Sequence, residues 1–169
     1  MKSADGVRNL RRIVDGEENL FIIVSAMGKT TNALESVFTH MQNRRKREAA
    51  DEIKRIKEYH ASIVDDLWGG HVEIEAVNRL FGELHDIAVD TVYRAADAEL
   101  WYDTIVAYGE LISTTIISEY LKFTGIRNRW IDMRAAFVTN QRHKDAYVNI
   151  KVSEPRLKAA TENTGVGVF

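Results

Sequence analysis

Hydrophobic positions in the first part of the chain follow two different patterns. Residues 4–15 carry apolar side chains at helical spacing, and Ser3 precedes them as a residue type that favours helix N-caps. This pattern predicts a helix. Residues 20–24 form an unbroken apolar run, rich in β-branched residues and without polar alternation. That run predicts a buried, central strand.

From residue 31 to residue 124, apolar residues recur every three or four positions with charged residues between them. This predicts a large helical lobe of four helices, the last at 98–123, with a break at Gly69 and Gly70. Strand composition returns later, at residues 128–133, 136–139 and 147–152, before a glycine-containing tail at 161–169. The order helix, strand, helices, strands predicts an α/β fold with layered packing. A helical bundle is the competing prediction, and the strand at 20–24 argues against it.

Composition excludes several classes of function. The chain has 169 residues, 45% of them hydrophobic, which is enough for one domain with a real core. It has no cysteine, so disulfides, thiolate nucleophiles and cysteine metal sites are excluded. The five histidines fall on separate predicted elements, without the spacing of a helical metal site. We therefore expect no metal site.

Charge and hydropathy also limit the partners. With a net charge of −2, only the basic run at 44–47 could attract nucleic acid. Because that run ends a predicted helix and lacks interleaved aromatic residues, we interpret it as a solvated helix end and expect no nucleic-acid partner. No apolar run is long enough to span a membrane, and the N-terminus lacks a signal-peptide pattern. We expect a cytoplasmic protein without membrane contact.

Residues 25–31 carry the first chemical signal, because the apolar run ends here in hydroxyl side chains and glycine just before a helix. Ser25, Thr30 and Thr31, together with free N–H groups at a helix start, form a natural site for a carboxylate or phosphate. A P-loop is excluded, since it needs a glycine five residues before Gly28 and Ile23 stands there. The alternative interpretation is that the hydroxyls only cap the helix.

Three segments resemble a known family. Residues 24–34, Val-Ser-Ala-Met-Gly-Lys-Thr-Thr-Asn-Ala-Leu, resemble a signature of the aspartate kinases, which are amino-acid kinases. Residues 108–114 resemble the Gly-Glu-x-x-Ser segment of that family, and residues 130–134 with Thr139 resemble its Trp-x-Asp-x-Arg…Thr stretch. The matches occur in family order and cover nearly the whole chain.

The resemblance implies a layered, amino-acid-kinase-like (carbamate-kinase-like) fold that is incomplete, with residues 1–169 as part of a catalytic domain. The opening Lys-Phe-Gly-Gly-Thr-Ser strand of the family, its Gly-Arg-Gly-Gly-Ser-Asp nucleotide site and its paired regulatory domains are not in this sequence. The complete enzyme, a homo-oligomer, would transfer a phosphoryl group from ATP, with Mg²⁺, to L-aspartate on the route to lysine, threonine and methionine. We expect this chain to bind no cofactor tightly and to be inactive alone.

The resemblance also implies site residues. Ser25, the Ala26 backbone and Thr31 would meet a substrate carboxylate, and Glu110 would hold the substrate ammonium; no catalytic residue is assigned. The alternative role of Glu110 is to complement a helix dipole. Asp132 and Arg134 form either a site wall or a structural ion pair, and both stay outside the predicted site.

Two other functions remain open at this point. The chain could be a non-catalytic α/β or helical module that binds a small amino acid or a partner protein, an alternative that the missing kinase segments favour. A kinase for another amino acid, such as glutamate, is a third alternative that the aspartate-kinase wording of the motifs disfavours.

Overall fold

The computed structural model describes residues 2–140, 142, 146–162 and 167–168. These residues form eight α-helices and one sheet of two strands. The helices are α1 (Ala4–Val14), α2 (Thr30–Gln42), α3 (Lys46–Trp68), α4 (Glu75–His85), α5 (Ala98–Val106), α6 (Tyr108–Phe123), α7 (Met133–Ala136) and α8 (Ile150–Thr161). The strands are β1 (Asn128–Arg129) and β2 (Gly167–Val168), paired in parallel, and a π-helical turn at Asp86–Asp90 follows α4.

The centre of the molecule is α6. Most of its residues are buried, including Ile112, Ile116 and Leu121, which are fully enclosed. A helix that is apolar on nearly every side is stable only when other elements surround it. Here α2, α3, α4 and α5 all pack against it. The first turn of α6 is therefore held in a fixed position relative to α2.

The helices predicted from apolar periodicity are present, with two differences. The fourth predicted helix, at 98–123, is divided into α5 and α6, which meet at Ala107. The third predicted helix corresponds to α4, which continues into the π-helical turn at Asp86–Asp90. At the predicted break, Gly69 ends α3 in the left-handed conformation, with φ of 74°, and its N–H binds the Asp65 carbonyl.

The prediction of a buried, central strand at 20–24 is wrong. The segment belongs to neither strand of the described sheet, and its side chains alternate in exposure. Ile23 is 93% exposed and Phe21 is 57% exposed, whereas Leu20, Ile22 and Val24 pack against the core. A strand is buried on both faces only when layers cover both. In the described part of the chain, the helices cover only the face of this segment that carries Leu20, Ile22 and Val24.

Strand composition also failed near the C-terminus. Of the predicted strand residues that the structure describes, only those in β1 and in an isolated bridge between Thr139 and Val148 are paired, and most of the others lie in α7, α8 or irregular segments. Side-chain caps explain both helices: Asp132 accepts the Arg134 N–H at the start of α7, and Asn149 accepts the Val152 N–H at the start of α8.

The described residues are thus mainly helical. Their two-stranded sheet does not amount to the layered α/β packing that was predicted. Of the predicted tail at 161–169, residues 163–166 and 169 lie outside the described residues.

No helix in the part of the chain that the structure describes is long and apolar enough to cross a bilayer.

Candidate functional site

The first wall of the candidate site is the loop that leads into α2. Ser25 is exposed and Ala26 is buried, and the chain then turns so that α2 begins at Thr30. The Thr30 hydroxyl donates to the Met27 carbonyl at 2.6 Å, which closes the loop without capping the helix. No side chain of the described residues caps α2. The capping alternative for these hydroxyls is therefore not what the structure contains. The Thr30 and Ala33 N–H groups donate to the Met27 and Lys29 carbonyls, which leaves the N–H groups of Thr31 and Asn32 to bind an anion.

A single glycine sets the shape of this loop. Gly28 has φ of 59°, a conformation that L side chains rarely adopt. A Cβ there would also lie 2.5 Å from the Tyr59 hydroxyl oxygen. Tyr59 in turn donates to the Lys2 carbonyl at 2.8 Å. The loop is therefore fixed against α3 by backbone conformation and by close packing together.

The second wall is the first turn of α6, which carries Glu110. Glu110 Oε1 accepts the Ala26 N–H at 3.2 Å. The fully buried Ser113 hydroxyl lies 3.0 Å from the Ser25 carbonyl and 3.1 Å from the Glu110 carbonyl, and it can donate to either. Two contacts therefore hold the Ser25 and Ala26 backbone against α6.

Three of the four predicted site residues meet here. Ser25, Ala26 and Glu110 form one cluster across the loop and α6. Thr31 lies half-buried in the first turn of α2, and no hydrogen bond among the described residues joins its hydroxyl to Glu110. Glu110 is in the first turn of α6, as the dipole alternative requires, but its carboxylate also binds the loop. Thr31 remains a prediction.

Beside Glu110 lies an open groove of about 530 Å³. Its lining is mainly apolar and comes from the segment before the loop, from α6 and from the residues around α7: Phe21, Ile22, Ile23, Val24, Ala107, Glu110, Leu111, Thr114, Trp130, Ile131, Asp132, Met133, Arg134, Phe137 and Leu157. The charged residues in this lining are two carboxylates and one guanidinium. The described walls therefore carry one negative charge in excess.

Asp132 and Arg134 form the ion pair that was one of their two predicted roles. Arg134 Nε lies 3.0 Å from both Asp132 oxygens, and its Nη2 lies 2.7 Å from one of them. The guanidinium bonds hold the pKa of Asp132 below its ordinary value. Both residues also line the groove, as the site-wall interpretation requires, and that interpretation remains a prediction. Leaving Arg134 out of the predicted site missed a residue that shares a groove with Glu110.

Sequence reasoning also missed a contact that attaches the groove wall formed by residues 130–134 to α6. Trp130 Nε1 donates to Thr114 Oγ1 at 2.9 Å, and the Thr114 hydroxyl donates to the Glu110 carbonyl at 2.6 Å. Trp130 is the first residue of the segment at 130–134 that resembles the aspartate kinases, and this resemblance was the signal that could have found it. Tyr108 lies near Arg134, and burial raises the pKa of its hydroxyl.

Lys29 does not face Glu110. It is exposed and lines a different pocket, of about 420 Å³, together with Lys2 and Arg55. Lys29 is thus an exposed lysine of the loop before α2.

Histidine spacing predicted no metal site. In the described residues, ligand atoms of His85, Asp86 and Asp90 lie within 4.8 Å of one another, a grouping that a search for histidine pairs does not detect. The two carboxylates are exposed, and the group lies on α4 and the π-helical turn, away from the elements that carry Ser25 and Ala26. We assign no metal to it.

The sequence is similar to segments of curated aspartokinases. No protein-family model matches the sequence. Aspartokinase 1, chloroplastic, of Arabidopsis thaliana is 30% identical over 152 residues, which is 86% of this chain and 25% of that protein. Bifunctional aspartokinase/homoserine dehydrogenase 2, chloroplastic, of the same plant is 24% identical over 139 residues, 79% of this chain and 15% of that protein. The chain thus spans a quarter or less of the length of these two relatives.

A solved structure agrees in fold. The E. coli aspartokinase III structure in complex with aspartate and ADP superposes with a TM-score of 0.79 at 23% identity, covering 98% of this chain and 37% of that one. At this identity the likeness shows the fold. In sequence and in fold, the chain is therefore similar to one segment of the aspartokinases.

Proposed function

We propose that this chain carries the amino-acid-binding side of an aspartokinase site, with L-aspartate as its ligand. One observation supports the proposal above the others: Ser25 and Ala26, at the start of one resembling segment, are held against the helix that carries Glu110, which lies in the next segment, 84 residues after Ala26. Residues this far apart in the chain have no local reason to meet. Their contact is what a shared ligand site requires.

The chemistry of aspartate suits these groups. Its ammonium would bind Glu110, whose carboxylate gives the described groove its excess negative charge. One carboxylate would bind the Ala26 N–H and the first turn of α2, including the Thr31 hydroxyl. Arg134 offers a cation for the second carboxylate on the opposite wall, where Asp132 already orients it.

The described groove does not suit ATP with Mg²⁺. Its walls are apolar beside Glu110, their net charge is negative, and their one guanidinium is neutralised by Asp132. Tetra-anionic phosphates need clustered cations or backbone N–H groups. We therefore assign nucleotide and metal binding to other residues of a complete enzyme. That enzyme, a cytoplasmic homo-oligomer, would phosphorylate the side-chain carboxylate of L-aspartate for lysine, threonine and methionine synthesis.

A second candidate, a partner-binding module, is favoured by the exposure of Phe21 and Ile23 beside the groove. Large exposed apolar patches often mark protein interfaces. The two candidates differ in their ligand, because a module of this kind need not recognise free aspartate.

Amide NMR of the whole chain tests the proposal. Titration with L-aspartate is expected to shift the amides of Ala26, Thr31 and Glu110 first and to saturate, whereas L-alanine, which lacks the second carboxylate, should bind more weakly. A coupled ADP-release assay with ATP, Mg²⁺ and aspartate is expected to show no turnover above background. Absence of saturable amide shifts would refute the aspartate site, and aspartate-dependent turnover would refute the assignment of nucleotide binding to other residues.

A further inference from the structure

We propose that Glu110 occupies the carboxylate-binding N–H of Ala26 in the free protein, and that an amino-acid ligand displaces it from there. This inference rests on the proposed function. It gives Glu110 two successive roles. In the free protein its carboxylate occupies the position of the ligand carboxylate, and in the complex it binds the ligand ammonium.

The geometry assigns both roles to the same atoms. The Ala26 N–H, the donor expected to meet a ligand carboxylate, binds Glu110 Oε1 at 3.2 Å. A carboxylate from the protein therefore stands where a ligand carboxylate would stand. An amide hydrogen that points along one direction makes one strong hydrogen bond, so the two carboxylates compete.

The surroundings decide which ligands can win this competition. Once displaced, Glu110 would face a mainly apolar groove in which the described cation, Arg134, already donates from Nε to Asp132 Oδ1 and from Nη2 to Asp132 Oδ2. An unpaired carboxylate in such a place is destabilised. A ligand that brings an ammonium along with its carboxylate supplies the missing partner at the same moment. A plain dicarboxylate does not.

Backbone anchoring confines the exchange to one side chain. Ser113 contacts the Ser25 carbonyl and Thr114 donates to the Glu110 carbonyl, so both walls keep their main-chain positions when the Glu110 carboxylate moves. The backbone of Glu110 belongs to α6, and most side chains of this helix are packed in the core. We therefore infer a rotamer change of Glu110 without a backbone movement.

The inference separates two ligands that differ by one group. L-aspartate and succinate share both carboxylates, and only aspartate has the ammonium. Glu110→Gln keeps the size of the side chain and removes its charge. Aspartate should then lose a charge-assisted partner and bind about ten- to a hundredfold more weakly. Succinate should lose a charged competitor and bind tighter, by about threefold or more.

The experiment measures both ligands by calorimetry on the full chain, with Glu119→Gln as the matched control. Glu119 lies on the same helix, where it pairs with Lys122 at 2.7 Å outside the groove. The control should leave both affinities unchanged. In parallel, the Ala26 amide resonance should move in free Glu110→Gln relative to the free parent chain, because its acceptor has lost its charge.

The outcomes separate the failure of this inference from that of the proposed function. Opposite changes for aspartate and succinate, with a moved Ala26 amide, support the displacement. If succinate weakens as much as aspartate, or if the Ala26 amide is unchanged in the variant, the displacement is wrong while the aspartate site stands. If neither ligand binds the parent chain or either variant, the proposed function is wrong and the displacement fails with it.

Discussion

Ala26 packs directly against Gly109: a Cβ built on Gly109 would lie 2.8 Å from the Ala26 Cβ and 3.3 Å from a Leu34 methyl carbon. Carbon atoms do not approach this closely without a shift. The absent side chain at Gly109 therefore allows the loop and α6 to meet, one residue before Glu110.

We expect Gly109→Ala to lower the free energy of unfolding by about 1–3 kcal/mol, because overpacking outweighs the gain in helix propensity. Gly82→Ala in α4 is the matched control, since nothing lies within 4 Å of a Cβ there. The control should be neutral or up to about 1 kcal/mol stabilising. Urea denaturation of both variants measures this, and equal changes would contradict the packing argument.

Ser113→Ala tests the anchor of the loop. The variant removes the hydroxyl that faces the Ser25 and Glu110 carbonyls from a fully buried position, so we expect a loss of about 1–3 kcal/mol in unfolding free energy. Ser62→Ala removes a hydroxyl of an exposed serine that bonds only within its own helix, to the Tyr59 carbonyl at 2.8 Å. Its effect should stay within about 0.5 kcal/mol. Amide exchange at Ala26 should accelerate in the first variant only.

Thr31→Val tests the remaining predicted site residue. If the hydroxyl binds a ligand carboxylate, its removal should weaken aspartate binding by about 1–3 kcal/mol with little change in stability. Thr39→Val, on the same helix, removes a hydroxyl that bonds the Glu35 carbonyl at 2.9 Å and serves as control. Calorimetric titration compares the two. Equal aspartate affinity in both variants would remove Thr31 from the site.

His60 gives the stability a pH dependence. Its Nδ1–H donates to the Ile56 carbonyl at 2.8 Å, and Nε2 is buried with no hydrogen-bond partner among the described residues. Burial lowers the pKa of His60, with the Ile56 carbonyl acting in the opposite direction. The folded state therefore takes up its proton at lower pH than the unfolded state, whose pKa is about 6.5.

Unfolding free energy should accordingly fall as the pH drops below about 6.5, by up to about 1.4 kcal/mol per pH unit until the folded pKa is reached. Denaturation curves between pH 7.5 and 5.0 measure the slope, above the range where Asp132, with its lowered pKa, takes up a proton. His60→Leu should have a smaller slope over this range. An identical slope would show that other groups carry the pH dependence.

Local patterns in the sequence predicted the helices and the loop at the start of α2. Apolar periodicity is a local property, and the packing around Ile112 and Ile116 follows from it. The contact between Ala26 and Glu110 was not predictable in the same way, because it joins residues 84 positions apart. Only the order of the resembling segments suggested that the two share a site.

Strand propensity was the weakest guide. In α8 the predicted strand composition gave way to the Asn149 cap, and the helix even accommodates Pro155. The exposure of Ile23 was missed for another reason. Whether an extended segment is buried depends on which distant elements pack against it, and a local sequence pattern does not contain that information.

The position of α6 has a thermodynamic consequence. The same helix fills the core with Ile112 and Leu121 and presents Glu110 to the loop, so the site exists only in the folded chain. A ligand that binds there and not to the unfolded chain adds about 2.7 kcal/mol to the unfolding free energy at a free concentration one hundred times its Kd. Melting temperature therefore reports on occupancy of the site, and ligands can be ranked by thermal shift before any turnover is measurable.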